Sequence, residues 1–142
     1  MNIEPPVSTT AEAADPVLAG IRATQAEMVA LRHHLHAHPE LAFEEFATSD
    51  LVAERLASWG YEVHRGLGGT GVVGTLRVGA GTRRLGLRAD MDALPIHEQT
   101  GLPYASRHAG RMHACGHDGH TAILLAALSL IHISEPTRLR RI

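Results

Sequence analysis

From Met112 to Ala122 the chain reads Met-His-Ala-Cys-Gly-His-Asp-Gly-His-Thr-Ala, which gathers His113, His117, His120, Asp118 and the sole cysteine, Cys115, into one short run. Imidazole, thiolate and carboxylate are the donors that zinc, nickel, cobalt and manganese sites combine, so this is the chemistry of a transition-metal site. Sites of that kind commonly serve hydrolysis. Cys115 and His117 are two residues apart, a spacing that would split them between faces of a helix but that an extended loop presents to one side. A loop is therefore predicted for the pair. Gly119, His120, Thr121 and the apolar run from Ala122 to Leu128 predict a helix, with Asp118 as its N-cap and His120 in its first turn. The competing reading makes the histidines polar loop residues and Cys115 a small buried hydrophobe. The crowding of His, Cys and Asp into a single segment argues against it.

The elements that would carry this run can be read upstream. Asp15 before Pro16 marks a helix start, and Leu18, Ile21, Met28, Leu31 and Leu35 recur at helical spacing. Pro39 disfavours helical backbone at His38 and ends the element, leaving His34, His36 and His38 near its negative C-terminal end, which is a sufficient reason for them. A second amphipathic helix is predicted from about Glu44 to Trp59, burying Phe46, Leu51, Val52 and Leu56, with Gly60 as a left-handed cap. Tyr61 to His64 then reads as a strand.

Gly66 to Gly71 matches the pattern G-x-G-x-x-G, yet the stretch from Gly71 to Val78 is rich in strand formers where a dinucleotide fingerprint needs a helix. A glycine turn is the reading. Arg84 to Arg88 predicts a further strand that delivers Asp90 and Asp92 at its C-terminal end, where one intervening residue lets both carboxylates face one cleft. The plainer account of the two is a pair of turn-forming aspartates before Pro95.

Composition bounds the classes. The 142 residues suit one domain, and 44% hydrophobic with 20% charged residues is ordinary globular usage. A formal charge of −2 and an aromatic content of 4% give no field or stacking surface for nucleic acid. One cysteine forms no internal disulfide, and a thiolate ligand calls for a reducing compartment, so a cytoplasmic setting is expected. Met1 to Asp15 has acidic residues and prolines without an apolar stretch behind positive charge, and reads as a disordered leader with no signal peptide. No run approaches the roughly 18 apolar residues of a membrane span.

Three blocks occur in order: Leu35-His36-Ala37-His38-Pro39-Glu40-Leu41, Arg88-Ala89-Asp90-Met91-Asp92-Ala93-Leu94-Pro95, and His113-Ala114-Cys115-Gly116-His117-Asp118-Gly119-His120, followed by the apolar helix. Together they resemble the amidohydrolase branch of the aminoacylase and carboxypeptidase family of dinuclear metallopeptidases, over residues 16–128. The resemblance implies an α/β fold, the N-terminal portion of a zinc-peptidase-like catalytic domain with helices packed on a mixed sheet. It also implies hydrolysis of N-acyl amino acids such as hippurate-like conjugates, two divalent metal ions (Mn, Zn, Ni or Co), and a homo-oligomer in the full-length form. By the same resemblance Cys115 and His117 are metal ligands and Asp92 is the acid that orients a metal-bound histidine, while Asp90 stands where the wider family has that histidine. The family's glutamate general base lies in a Pro-Ala-Glu-Glu type segment that is not found before Ile142. Two ligands fall short of a dinuclear shell, so the chain by itself is expected to be inactive. Residues 129–142 are expected to fall outside the family pattern: they resemble translated sequencing-adaptor sequence, and otherwise read as a basic tail.

Two rivals remain open. One is a small non-enzymatic His/Cys metal-binding module, with Asp118 or His120 completing the shell. The other is a cysteine hydrolase using Cys115, for which no oxyanion partner is evident.

Overall fold

The computed structural model describes residues 15–134. The predicted leader therefore lies outside the described residues up to position 14, as does the predicted tail beyond Ser134. Helix α1 spans Pro16–Ala37, α2 Phe46–Ser58, strand β1 Glu62–Leu67, β2 Gly71–Thr75, and α3 His117–Ser134. Asp15 caps α1 by accepting from the Val17 amide at 2.8 Å, with Pro16 in the first turn, and Gly60 takes the left-handed conformation at φ 77° after α2. Both helix boundaries agree closely with the sequence pattern.

Met28, Leu31 and Leu35 of α1 meet Val52 and Leu56 of α2, Tyr61, and Leu125 of α3 in the principal core. The Tyr61 hydroxyl donates to the Leu128 carbonyl at 3.2 Å, so the ring is buried and its polar end satisfied. Helices α1 and α3 approach closely: a Cβ built on Gly20 would lie 2.5 Å from a Leu130 methyl. Phe46 departs from expectation and is 63% exposed, because the buried face of α2 is instead built from Thr48, Ser49, Val52, Ala53 and Leu56. Ile21 is likewise exposed on α1.

β1 and β2 pair antiparallel with Glu62 opposite Thr75 and Val63 opposite Gly74, and a register shift falls between Arg65 and Leu67. The residues between them form the predicted glycine turn, and no helix follows Gly71. Gly74 brings the ribbon tight against α2, since a Cβ there would sit 3.0 Å from a Leu56 methyl. The strand expected at Arg84 to Arg88 is not formed: Leu85 is 84% exposed, and no described segment lies alongside to complete a ladder. Helix α3 continues past Leu128 to Ser134 without interruption. Among the described residues no helix is long and apolar enough to cross a membrane.

Candidate metal centre

The three motif blocks, distant in sequence, are stitched side by side by the backbone. The Ala93 amide donates to the Glu40 carbonyl at 2.7 Å, and Leu41 and Ala93 form a parallel bridge. Leu94 and Met112 exchange hydrogen bonds of 2.9 and 3.0 Å in an antiparallel bridge. Glu40 also serves α2, its carboxylate accepting from the amides of Ala47 and Thr48 at 3.0 and 2.8 Å and satisfying donors that the helix start leaves free. The segment after Pro39 thus docks the aspartates on one side and caps a helix on the other.

Gly116, at φ 79°, turns the chain into α3, and its carbonyl accepts from both Gly119 and His120 at 2.9 and 3.1 Å. This puts Cys115 on an exposed turn and makes His117 the first residue of the helix. The His117 Nδ1 lies 2.9 Å from Asp92 Oδ1 and 2.9 Å from the Asp92 carbonyl oxygen. Carbonyl and ionised carboxylate oxygens only accept, so Nδ1 donates and the ring's lone pair is left at Nε2. Metal-bound imidazoles are held in this way. With a thiol two residues away, Cys115 and His117 fit as part of a transition-metal shell. Among the described residues no group of three His, Cys, Asp or Glu side chains is arranged to hold an ion.

Asp90 and Asp92 bond to different partners, although Asp90 remains close enough to His117 to feel its charge. Asp90 turns to Arg88, accepting from its Nε and Nη2 at 3.0 and 2.7 Å, and this hydrogen bonding and charge hold its carboxyl below the usual range. Its backbone carbonyl takes the Thr121 hydroxyl at 3.1 Å. Asp118 is not an N-cap. The helix opens at His117 because Gly116 supplies the first carbonyl, which places Asp118 within the first turn and facing inward, 1% exposed. There it accepts from His36 Nδ1 at 2.9 Å and from Arg32 Nε at 3.2 Å. Burial pushes this carboxyl up, but hydrogen bonds from His36 and the Gly119 amide outweigh it, with the charges of His113 and Arg32 adding to them, and its pKa lies below the ordinary value. His120 does occupy the first turn, exposed, its ring 5.2 Å from that of His117.

His36 is the residue that sequence reasoning missed. Its Nε2 lies 3.2 Å from Glu98 Oε1, opposite the contact to Asp118. Glu98 also accepts from the Thr100 hydroxyl and, at 2.6 Å, from the Ser106 amide. Burial raises the Glu98 carboxyl, yet these hydrogen bonds and the one from His36 bring the net direction down. The available signal was the spacing of four between Arg32 and His36, one row over from the apolar pair Leu31 and Leu35. His113 is buried as well; burial lowers its pKa, and neither ring nitrogen has a partner among the described residues.

Residues 86–140 match the model of Peptidase family M20/M25/M40. The chain is 54% identical over 103 residues to hippurate hydrolase of Campylobacter jejuni, covering 72% of this chain and 27% of that protein. It is 48% identical over 105 residues to N-acyl-L-amino acid amidohydrolase of Geobacillus stearothermophilus, 73% of this chain and 28% of that one. Its fold superposes on the crystal structure of the Bacillus subtilis YXEP protein, a dinuclear metal-binding peptidase of the M20 family, with a TM-score of 0.75 at 38% identity, over 80% of this chain and 32% of that one. The chain thus spans between a quarter and a third of the length of these relatives.

Proposed function

Since this chain belongs to Peptidase family M20/M25/M40, we propose that it forms part of a metal-dependent amidohydrolase that cleaves the amide bond of N-acyl amino acids, hippurate-like conjugates among them. The observation that carries the proposal is the Asp92 contact to His117 Nδ1 at 2.9 Å, beside Cys115. In this reading Cys115 and His117 are metal ligands and Asp92 is a positioning acid that fixes the tautomer and plane of the His117 ring. Two divalent ions of the Mn, Zn, Ni or Co type, when bound, would lower the pKa of a bridging water and polarise the scissile carbonyl.

The chain's own residues do three things in that scheme. Asp92 keeps the proton on Nδ1, so that Nε2 is the ring nitrogen offered to metal. The Gly116 turn, at φ 79°, sets Cys115 in the turn before α3 and His117 at its first residue. Thr121 and the Leu94 and Met112 bridge hold the aspartate segment against α3, so Asp92 keeps its reach. The family's glutamate general base is not found in these 142 residues, and the chain by itself is proposed to be inactive. A cytoplasmic location and homo-oligomeric assembly complete the reading.

The experiment is hydrolysis of hippurate and other N-acyl amino acids by the full-length gene product, with and without chelation. The proposal expects activity that chelation abolishes and a divalent ion restores; activity untouched by chelation but abolished by thiol alkylation would replace it with a cysteine hydrolase.

A further inference from the structure

The start of α3 is anchored at three points to two other segments. His117 reaches Asp92, Thr121 reaches the Asp90 carbonyl, and between them Asp118 reaches back to α1. This last anchor is the most buried. The side chains of Glu98, His36 and Asp118 are 4%, 6% and 0% exposed, and they form a continuous line, Glu98 to His36 Nε2 and His36 Nδ1 to Asp118. Tyr104 closes one side of the imidazole, its ring 5.4 Å away at nearly a right angle. A planar group gripped at both nitrogens between two carboxylates has one orientation available to it.

We propose that His36 is a positioning residue for the Cys115 and His117 ligand pair, acting through Asp118, an inference that rests on the metal-ligand reading above. Asp118 adjoins His117 in sequence and shares its helical turn, so the contact that fixes the Asp118 carboxylate also fixes the rotation of α3 about its axis at the point where His117 leaves it. Arg32 contributes a second bond to the same oxygen, but from a side chain 46% exposed, which makes it the weaker restraint. Glu98 acts one step further out. Through the Ser106 amide it braces the loop after Glu98 against His36, and it has no contact with the ligand turn.

The two ring nitrogens therefore have different jobs, and substitution can separate them. His36→Asn keeps a donor near the Nδ1 position and loses the one toward Glu98; His36→Gln keeps a donor near the Nε2 position and loses the one toward Asp118. Titration of the full-length gene product with Co2+, followed by the thiolate-to-cobalt charge-transfer band of Cys115, reads the ligand pair without any catalysis. Matched far-UV circular dichroism and thermal midpoints report folding. The parent should show the band, His36→Gln should bind Co2+ about tenfold more weakly, and His36→Asn should recover most of that loss although both variants give up one hydrogen bond. Equal affinity in parent and His36→Gln, or equal losses that track the thermal midpoints, overturns the inference and leaves the ligand assignment standing. Absence of the band in the parent overturns the ligand assignment and this inference with it.

Discussion

In the helices, Leu31, Leu35, Leu56 and Leu125 are almost wholly buried, whereas from Arg77 to Arg88 every residue is exposed and Leu85 and Leu87 stand 84% and 53% in solvent. The first region is held by apolar contact, the second by a few polar tethers at its ends. Where the two meet, the tethers become the site: Ala93 on Glu40, Leu94 on Met112, Asp92 on His117 and Thr121 on the Asp90 carbonyl. The turn carrying Cys115 and His117 is thus steadied by α3 and α1, while the aspartate segment is held by direct bonds to α3 and to Glu40 and Met112 in the connecting loops.

That contrast can be broken from the helical side first. Leu125→Ala removes a side chain at the centre of the core, 2% exposed, and is expected to cost about 2–5 kcal/mol, read from urea denaturation followed by far-UV circular dichroism. A cost below about 1 kcal/mol would mean that α3 is not packed as described. At the seam, pH sharpens the comparison. The Glu98 carboxyl titrates lower in the folded chain than its unfolded value of 4.5, so its stabilising effect is complete above 4.5 and is lost as pH falls through the folded pKa. Glu98→Gln should lower stability at pH 7 by about 1–3 kcal/mol and flatten the decline that the parent shows below pH 4.5. An unchanged decline would place the acid sensitivity elsewhere. In the exposed segment, Leu85→Ser should change stability by no more than about 0.5 kcal/mol; a larger loss in the same denaturation experiment would reveal a partner for that side chain.

Legibility in the sequence follows the same division. Helices α1 and α2 were readable because caps and apolar periodicity are local, as the Asp15 and Pro16 start and the Gly60 end illustrate. Strand formers at Arg84 to Arg88 were equally visible, but a strand exists only against a neighbour, and none of the described residues provides one. For the candidate site, Cys115, His117 and Asp92 were singled out by type and family resemblance, and the structure brings Asp92 and His117 into contact. The contact between Asp118 and His36 was missed for a shared reason. Each had an adequate local explanation, a helix cap for the aspartate and a helix C-terminus for the histidine, while their actual partners are each other across α1 and α3. Burial of one polar residue against another from a distant segment leaves no periodic trace. Phe46 shows the converse, an apolar residue at helical spacing that faces solvent because its turn lies beyond the core.

The central claim is that His117 offers Nε2 to metal because Asp92 holds Nδ1. Long-range 1H–15N correlation spectra of the imidazoles, recorded with and without added Zn2+, test it most directly. The account predicts a His117 ring protonated at Nδ1 in the free chain whose Nε2 resonance alone takes the metal-induced shift. A ring protonated at Nε2, a shift at Nδ1, or no response of His117 while other histidines bind zinc would contradict it.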